Sequence, residues 1–121
     1  MSESYVVYKG VGLRLPLYRE RSPGVAEDLT GWEIILDARD SNGNALVSLS
    51  SVTETGARID IPDQALNPGQ YTVIIPQDVT VDITWKVLEF DVLLEDGDGV
   101  LHLDYVESLF VAQDTQTRLA P

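Results

Sequence analysis

The stretch "KVLEFDVLLEDGDGVLHL" (residues 86–103) holds two apolar runs separated by two Asp-Gly steps. In the first run, apolar residues alternate with acidic ones, Leu88, Phe90, Val92 and Leu94 against Glu89 and Asp91. Such period-2 alternation is typical of a half-buried antiparallel strand whose apolar side chains face the core. In the second run, Leu101 and Leu103 alternate with His102 and Asp104, and we expect these leucines to join the same core. The stretch therefore predicts a long β-hairpin with strands near 84–95 and 100–112.

The Asp-Gly steps raise the alternative of a calcium loop. A loop of EF-hand type needs oxygen ligands at alternate positions and a distant bidentate Glu, between two helices. Here Asp96 and Asp98 are followed by Val100 and His102, and both flanks alternate as strands. Because Gly tolerates positive φ and Asp side chains bond the local backbone, residues 96–99 are predicted to be a turn and not a metal site. The alternation of core-facing and solvent-facing residues changes phase between Val106 and Ser108, which predicts a bulge or bend there.

The same alternation recurs along the rest of the chain. Turn dipeptides separate the runs, with Asn42-Gly43 typical of a hairpin and Pro68-Gly69 of a type II turn. Residues 62–67 fit at most one short helical turn. Further strands are expected near 5–9, 12–18, 32–39, 45–50, 57–61 and 70–76. About seven or eight short strands at this spacing predict an all-β fold, an immunoglobulin-like antiparallel β-sandwich.

The length of 121 residues fits one domain, 1–121, with a core of its own. We expect residues 1–10 to be either an N-terminal arm or an edge strand, and residues 113–121 to be a C-terminal tail. The chain has no cysteine and no apolar run long enough to span a bilayer. Its first residues lack a basic region followed by an apolar stretch, so we expect synthesis in the cytoplasm without a secretion signal.

The net charge is −12 and the pI is near 4.1. Phosphate backbones and anionic membrane surfaces are bound through Lys and Arg, so neither nucleic acid nor a membrane is an expected partner. The acidic residues are spread along the chain. They form either a well-solvated surface or a patch for a basic partner.

The sequence offers little for catalysis, and we expect neither an enzyme nor a cofactor. His102 is the single histidine, and its strand position suggests a solvated or cross-strand-paired imidazole. Glu89 and Asp91, two residues apart on one strand face, fit a surface stripe better than an acid–base pair. Exposed tryptophans would instead indicate a carbohydrate-binding sandwich, for which Trp32 and Trp85 are the candidates.

Several segments resemble small virion proteins of tailed phages. "DLTGWEIILDARDSNGNAL" (28–46), Thr80, Trp85 and "FDVLL" (90–94, with Asp91) are followed by "EDGDGVLHL" (95–103), "ESLFVAQ" (107–113) and "TQTR" (115–118). Together, over about residues 28–118, they are similar to the N-terminal domain of the phage baseplate upper protein family. Lys9-Gly10-Val11 departs from the Gly-Asp-Thr-like step that opens the family pattern, and any C-terminal receptor-binding or fibre-like domain of longer relatives is expected to be absent. Separately, "LNPGQY" resembles a tyrosine corner, with Tyr71 bonding back across the turn.

The resemblance implies a virion structural protein without catalytic residues. We expect a tail, baseplate or fibre-attachment adaptor, or a capsid decoration protein, whose partners are copies of itself and a neighbouring capsid or tail protein. A carbohydrate-binding module using exposed Trp or Tyr is the alternative. The uncharged N-terminal run supplies a candidate assembly contact, Tyr5, Val6, Val7 and Tyr8, because edge strands and terminal arms offer backbone groups for pairing with a neighbour.

Overall fold

The computed structural model describes residues 3–115. It contains ten strands and one short helix: β1 (Ser4–Tyr8), β2 (Leu13–Tyr18), β3 (Glu20–Ser22), β4 (Val25–Ala26), β5 (Glu33–Arg39), β6 (Ala45–Ser50), β7 (Arg58–Asp60), β8 (Gln70–Ile75), α1 (Gln77–Thr80), β9 (Val87–Glu95) and β10 (Leu101–Gln113). All eight predicted strands are present. The predicted C-terminal tail falls largely on residues 116–121, which lie outside the described residues.

Two sheets form the body of the fold. One has five strands in the order β1-β10-β9-β5-β6, and the other has three in the order β2-β8-β7. Residues of both sheets belong to a single hydrophobic core, so the predicted all-β sandwich is confirmed. A separate small hairpin of β3 and β4 lies outside the two sheets and was not predicted.

The core follows from the alternation within the strands. In β9, the inward side chains Leu88, Val92 and Leu94 are fully buried, as the hairpin register requires. The three-stranded sheet adds its own inward residues, Leu17, Ile59, Tyr71, Val73 and Ile75. Each large apolar side chain removed from water contributes roughly 1.5–3 kcal/mol, so these alternating positions supply most of the stabilisation.

The N-terminal segment is an edge strand and not a free arm. β1 pairs with β10 in parallel, with Tyr5 beside Phe110 and Val7 beside Ala112. This pair departs from the expected all-antiparallel arrangement. A parallel neighbour needs a long connection between the two strands, and here almost the whole chain lies between them.

The prediction that Leu101 and Leu103 lie in the core is wrong. In the β9–β10 hairpin, Leu103 pairs with Leu93 and His102 with Leu94. Residues directly opposite in a sheet share a face, so His102 points inward with Leu94 while the leucines point outward. Leu101 and Leu103 are 58% and 50% exposed.

The predicted break in β10 is confirmed. The register shifts between Asp104 and Ser108, and Tyr105 and Glu107 both have positive φ. Beyond this bulge the inward positions are Ser108 and Phe110, both fully buried. Four residue steps along β10, from Asp104 to Ser108, lie opposite two steps along β9, from Val92 to Phe90, so the bulge holds two extra residues. Two extra residues preserve the alternation, and the inward positions of β10 are even-numbered on both sides of the bulge.

Residues 62–67 contain the single helical turn that was expected, in which the Asn67 N–H donates to Asp63 O at 2.9 Å. The short helix α1 lies further along the chain and was not predicted. The tyrosine corner does not form, because the buried hydroxyl of Tyr71 has no hydrogen-bond partner among the described residues. The turn before β8 is shaped instead by close backbone contact: the Arg19 N–H donates to Gly69 O at 2.8 Å. A Cβ on Gly69 would lie 2.5 Å from Arg19 O, so only glycine fits there.

Candidate functional site

The face of the five-stranded sheet turned away from the core, hereafter the outer face, carries two apolar rows. Ile35 pairs with Leu93, and Leu93 pairs with Leu103, which gives one row across three strands. Ile35 is 37% exposed even though it lies in the middle of a strand. Solvent-facing sheets usually carry polar residues at such positions, so these side chains are available to a partner.

The second apolar row lies nearer the β1 edge. Val87 pairs with Val111, and Val111 pairs with Val6 of β1. Val6 and Val87 are both exposed, at 40% and 48%. The two rows lie on the same outer face, with charged residues between them.

Those charged residues are mainly acidic. Asp37 lies directly opposite Asp91, and Arg39 lies directly opposite Glu89. An Arg39 nitrogen (Nη2) lies 3.6 Å from Asp37 Oδ2. Directly opposed like charges destabilise a sheet, so the Asp37–Asp91 pair costs stability in the free protein.

A groove of about 730 Å³ runs along the outer face beside the bulge of β10. We call it the outer groove. Its apolar lining comes mainly from Ile35, Val87, Leu93, Val106 and Leu109, and its charged lining is Asp37, Arg39, Asp40, Glu89, Asp91 and Glu107. The lining therefore holds one basic residue among several carboxylates. It fits apolar side chains accompanied by positive charge.

The candidate contact residues Tyr5, Val6, Val7 and Tyr8 divide between the two faces of β1. Val7 is buried, and the ring centroid of Tyr5 lies 6.1 Å from that of Phe90. Burial raises the pKa of Tyr5 to about 12. Val6 and Tyr8 are exposed on the outer face, so this half of the set is accessible to a partner.

A polar cluster centred on Arg19 lies at the inward face of the first half of β10. Arg19 Nη1 donates to Asp104 Oδ1 at 2.6 Å, and Arg19 Nε lies 3.8 Å from Glu27 Oε1. The guanidinium also lies 5.6 Å from the Trp32 ring centroid. Burial raises the pKa of Asp104, against the opposing effect of Arg19. Because Arg19 and Glu27 flank the β3–β4 hairpin, the cluster ties that hairpin to β10.

His102 extends this cluster towards the β9–β10 turn. Its ring stacks on Trp32 with centroids 5.2 Å apart, and its Nε2 lies 3.0 Å from Asp96 Oδ2. The other Asp96 oxygen accepts the N–H groups of Asp98 and Val100. Residues 96–99 thus form the predicted hairpin turn. The hydrogen bond from His102 lowers the pKa of Asp96, with the Val100 N–H acting in the same direction.

Neither tryptophan forms an open platform. Trp32 is half-buried against Arg19 and His102, as described above. Trp85 is half-buried and lines a smaller cavity of about 260 Å³ with mainly apolar neighbours, among them Val7, Ile75 and Ile83. Sugar binding needs polar groups around an exposed ring, so these positions fit packing better than carbohydrate recognition.

Sequence reasoning missed the Leu93–Leu103 row because it assigned the second leucine run to the core. The β9–β10 turn carries the signal that could have placed these leucines on the outer face. The Asp96 N–H donates to Val100 O at 3.0 Å, which places Glu95 opposite Leu101. Since Glu95 points outward, Leu101 must point outward too.

The sequence matches no protein-family model, and no curated protein matches it. In the part of the chain that the structure describes, no helix is long and apolar enough to cross a membrane. Over the same residues, no group of three or more His, Cys, Asp or Glu side chains is placed to hold a metal ion.

Proposed function

We propose that the protein is a non-enzymatic structural component of a tailed-phage virion, an adaptor of the tail, baseplate or fibre attachment or a capsid decoration protein. The observation that carries the proposal is the outer face, where two apolar rows flank a charged strip on a solvent-facing sheet. The sequence resemblance to baseplate upper proteins is the reason for proposing a tailed-phage virion as the particle.

The outer groove supports a particular chemistry for the partner. It combines exposed apolar side chains such as Ile35 and Leu93 with the carboxylates of Asp37, Glu89 and Asp91. A partner that places Lys or Arg beside the opposed Asp37 and Asp91 relieves their repulsion on binding. The partner surface is therefore a protein surface with apolar residues flanked by positive charge.

The net charge of −12 suits such a component. Many copies must stay apart in solution until a complementary surface captures them, and high net charge of one sign keeps them apart. The same charge accelerates capture by a basic surface, and salt weakens that effect.

The test is to follow the tagged protein into purified particles of the phage that encodes it. We expect the wild-type chain to co-sediment with particles and Leu103→Lys to be excluded, because the lysine interrupts the Ile35–Leu93–Leu103 row. Leu66→Lys is the matched control, since Leu66 is 79% exposed and lies in a turn away from the outer face. Absence of the wild-type chain from particles, or equal uptake of both variants, overturns the proposal.

A carbohydrate-binding module remains the second candidate, through the exposed rings of Tyr8 and Tyr18. Titration with oligosaccharides, followed by intrinsic fluorescence, separates the two. Saturable binding that Tyr8→Ala or Tyr18→Ala removes supports the module.

A further inference from the structure

The outward edge of β1 is an unprotected strand edge. Proteins usually guard such edges with charges, prolines or bulges. The edge strand β2 has Arg14 and Pro16, and β7 begins with Arg58 and ends with Asp60. β6, the other edge of the five-stranded sheet, lies beside β7 of the second sheet. β1 reads Ser-Tyr-Val-Val-Tyr, with no charge, no proline and no register shift against β10.

The backbone groups that face outward on this edge are those of the even-numbered residues. Leu109 N–H donates to Glu3 O, and Lys9 N–H donates to Gln113 O, so the odd-numbered residues face β10. The alternation of a strand then directs the N–H and C=O groups of Ser4, Val6 and Tyr8 away from the sheet. Tyr8 O already accepts the Val11 N–H at 3.1 Å. Within residues 3–115, β1 pairs with no strand other than β10.

The charges at the two ends of this strand are opposite in sign. Glu3 precedes β1 and Lys9 follows it, each three residues from Val6. In an antiparallel pair of two β1 strands centred on Val6, Glu3 of one copy lies opposite Lys9 of the other, twice by symmetry. A shift of the register by two residues places Glu3 opposite Val7 or Val11 instead. Only the Val6-centred register matches both charges.

From this we propose that two copies of the chain form a twofold-symmetric dimer by antiparallel pairing of their β1 strands, centred on Val6. Val6 N–H and C=O bond those of Val6 in the second copy, and Tyr8 N–H bonds Ser4 C=O of the second copy. The five-stranded sheets become one continuous sheet, and a twofold axis closes the contact so that no filament grows.

Other features of the edge are consistent with this pairing. The present partner of Lys9 is Asp114 at 3.3 Å, and the Asp114 side chain is 85% exposed. Such a surface ion pair contributes little to stability, so Lys9 can exchange Asp114 for Glu3 of the second copy at little cost. Because the twofold axis is perpendicular to the sheet, the outer faces of the two copies lie on the same side of the continuous sheet. The two Val6–Val111–Val87 rows then lie next to each other on either side of the β1–β1 contact. The dimer goes beyond the proposed function, because it uses the strand edge and forms in solution whatever takes up the outer face.

The first test is sedimentation velocity of the full chain from about 10 μM to about 1 mM, the range of weak interfaces. We expect a concentration-dependent dimer for the wild type and a monomer for Val6→Pro, which removes an outward N–H without touching the β10 ladder. Ser48→Pro is the matched control on the other edge of the same sheet. Ser51 N–H donates to Ile34 O, so Ser48 also faces outward, and this variant should still dimerise.

The second test checks the register independently of any loss of folding. Glu3→Lys or Lys9→Glu alone places like charges opposite each other at both ends, and we expect each to lower the dimer association constant about tenfold. The double exchange Glu3→Lys with Lys9→Glu should restore it. A monomeric wild type throughout the range overturns the dimer, as does a Val6→Pro variant that dimerises like Ser48→Pro. Single charge variants that match the wild type, or a double exchange that fails to restore association, overturn the register. None of these results depends on uptake into particles, so failure of the dimer can be distinguished from failure of the proposed function.

Discussion

Leu93 and Leu103 lie directly opposite each other on the outer face of the β9–β10 hairpin, one register step from the inward pair Leu94 and His102. The hairpin thus places an imidazole against the interior and a leucine, 50% exposed, against solvent. Both arrangements run against the usual distribution of polar and apolar residues in a sandwich. The inverted face is what creates the outer apolar row and brings His102 onto Trp32.

This register predicts that two leucine truncations change the free energy of unfolding by very different amounts. Leu88→Ala removes a fully buried side chain and is expected to lower the free energy of unfolding by about 2–5 kcal/mol. Leu103→Ala removes a solvent-facing one and should change it by no more than about 0.5 kcal/mol. Urea unfolding followed by circular dichroism measures both. A large loss at Leu103 would mean that the outer face is packed in the isolated protein.

Among the charged residues, Arg19 should cause the largest loss of folding stability when it is substituted. Arg19→Ala leaves Asp104 and Glu27 as half-buried carboxylates without their cation, which typically costs about 3–5 kcal/mol. Arg39→Ala is the matched control, because the Arg39–Asp37 pair is exposed and such pairs contribute about 0–1 kcal/mol. Equal effects of the two substitutions in urea unfolding would contradict the structural role of the cluster.

The pKa of Asp104 predicts a component of the pH dependence. Burial raises it above the ordinary value of 3.8, so the folded protein binds this proton more tightly than the unfolded chain does. Stability from this group is therefore fully present below that ordinary value and declines as pH rises through the folded pKa. Asp104→Asn removes the decline, so the stability of the variant minus that of the wild type should increase with pH above 3.8 and then level off. Urea unfolding of both proteins across a pH series checks it, and two parallel curves would refute it.

Tyr71 gives a test of the missing tyrosine corner. Its buried hydroxyl has no partner among the described residues, and burial raises the pKa of this phenol. Removing an unsatisfied buried hydroxyl is neutral or favourable, so Tyr71→Phe should keep or raise the melting temperature. In a formed tyrosine corner the same change would remove a hydrogen bond and lower it. A clear fall in melting temperature would therefore show that the hydroxyl is bonded.

Much of the architecture could be predicted from local pattern. Alternation and turn dipeptides located eight of the strands. The bulge of β10 was expected at the right place but for a wrong reason, because the break in alternation came from assigning Leu101 and Leu103 to the core. The β3–β4 hairpin was missed because its strands of three and two residues are too short to show a period. The candidate contact at residues 5–8 was found, but its division between Val7 inside and Val6 outside depends on pairing with β10.

The sequence by itself determined where this chain is extended and where it turns, because side-chain period and turn chemistry are local properties. It did not determine which side of the second hairpin strand faces the core, since Leu101, Leu103 and His102 alternate equally well in either register. Nor did it determine the partner of β1 or the contact of Arg19 with Asp104, which are 85 residues apart. Only the tertiary structure decided these features. Strand pairing and ion pairing between distant segments depend on how the two sheets close over a shared core, and no local pattern records that closure.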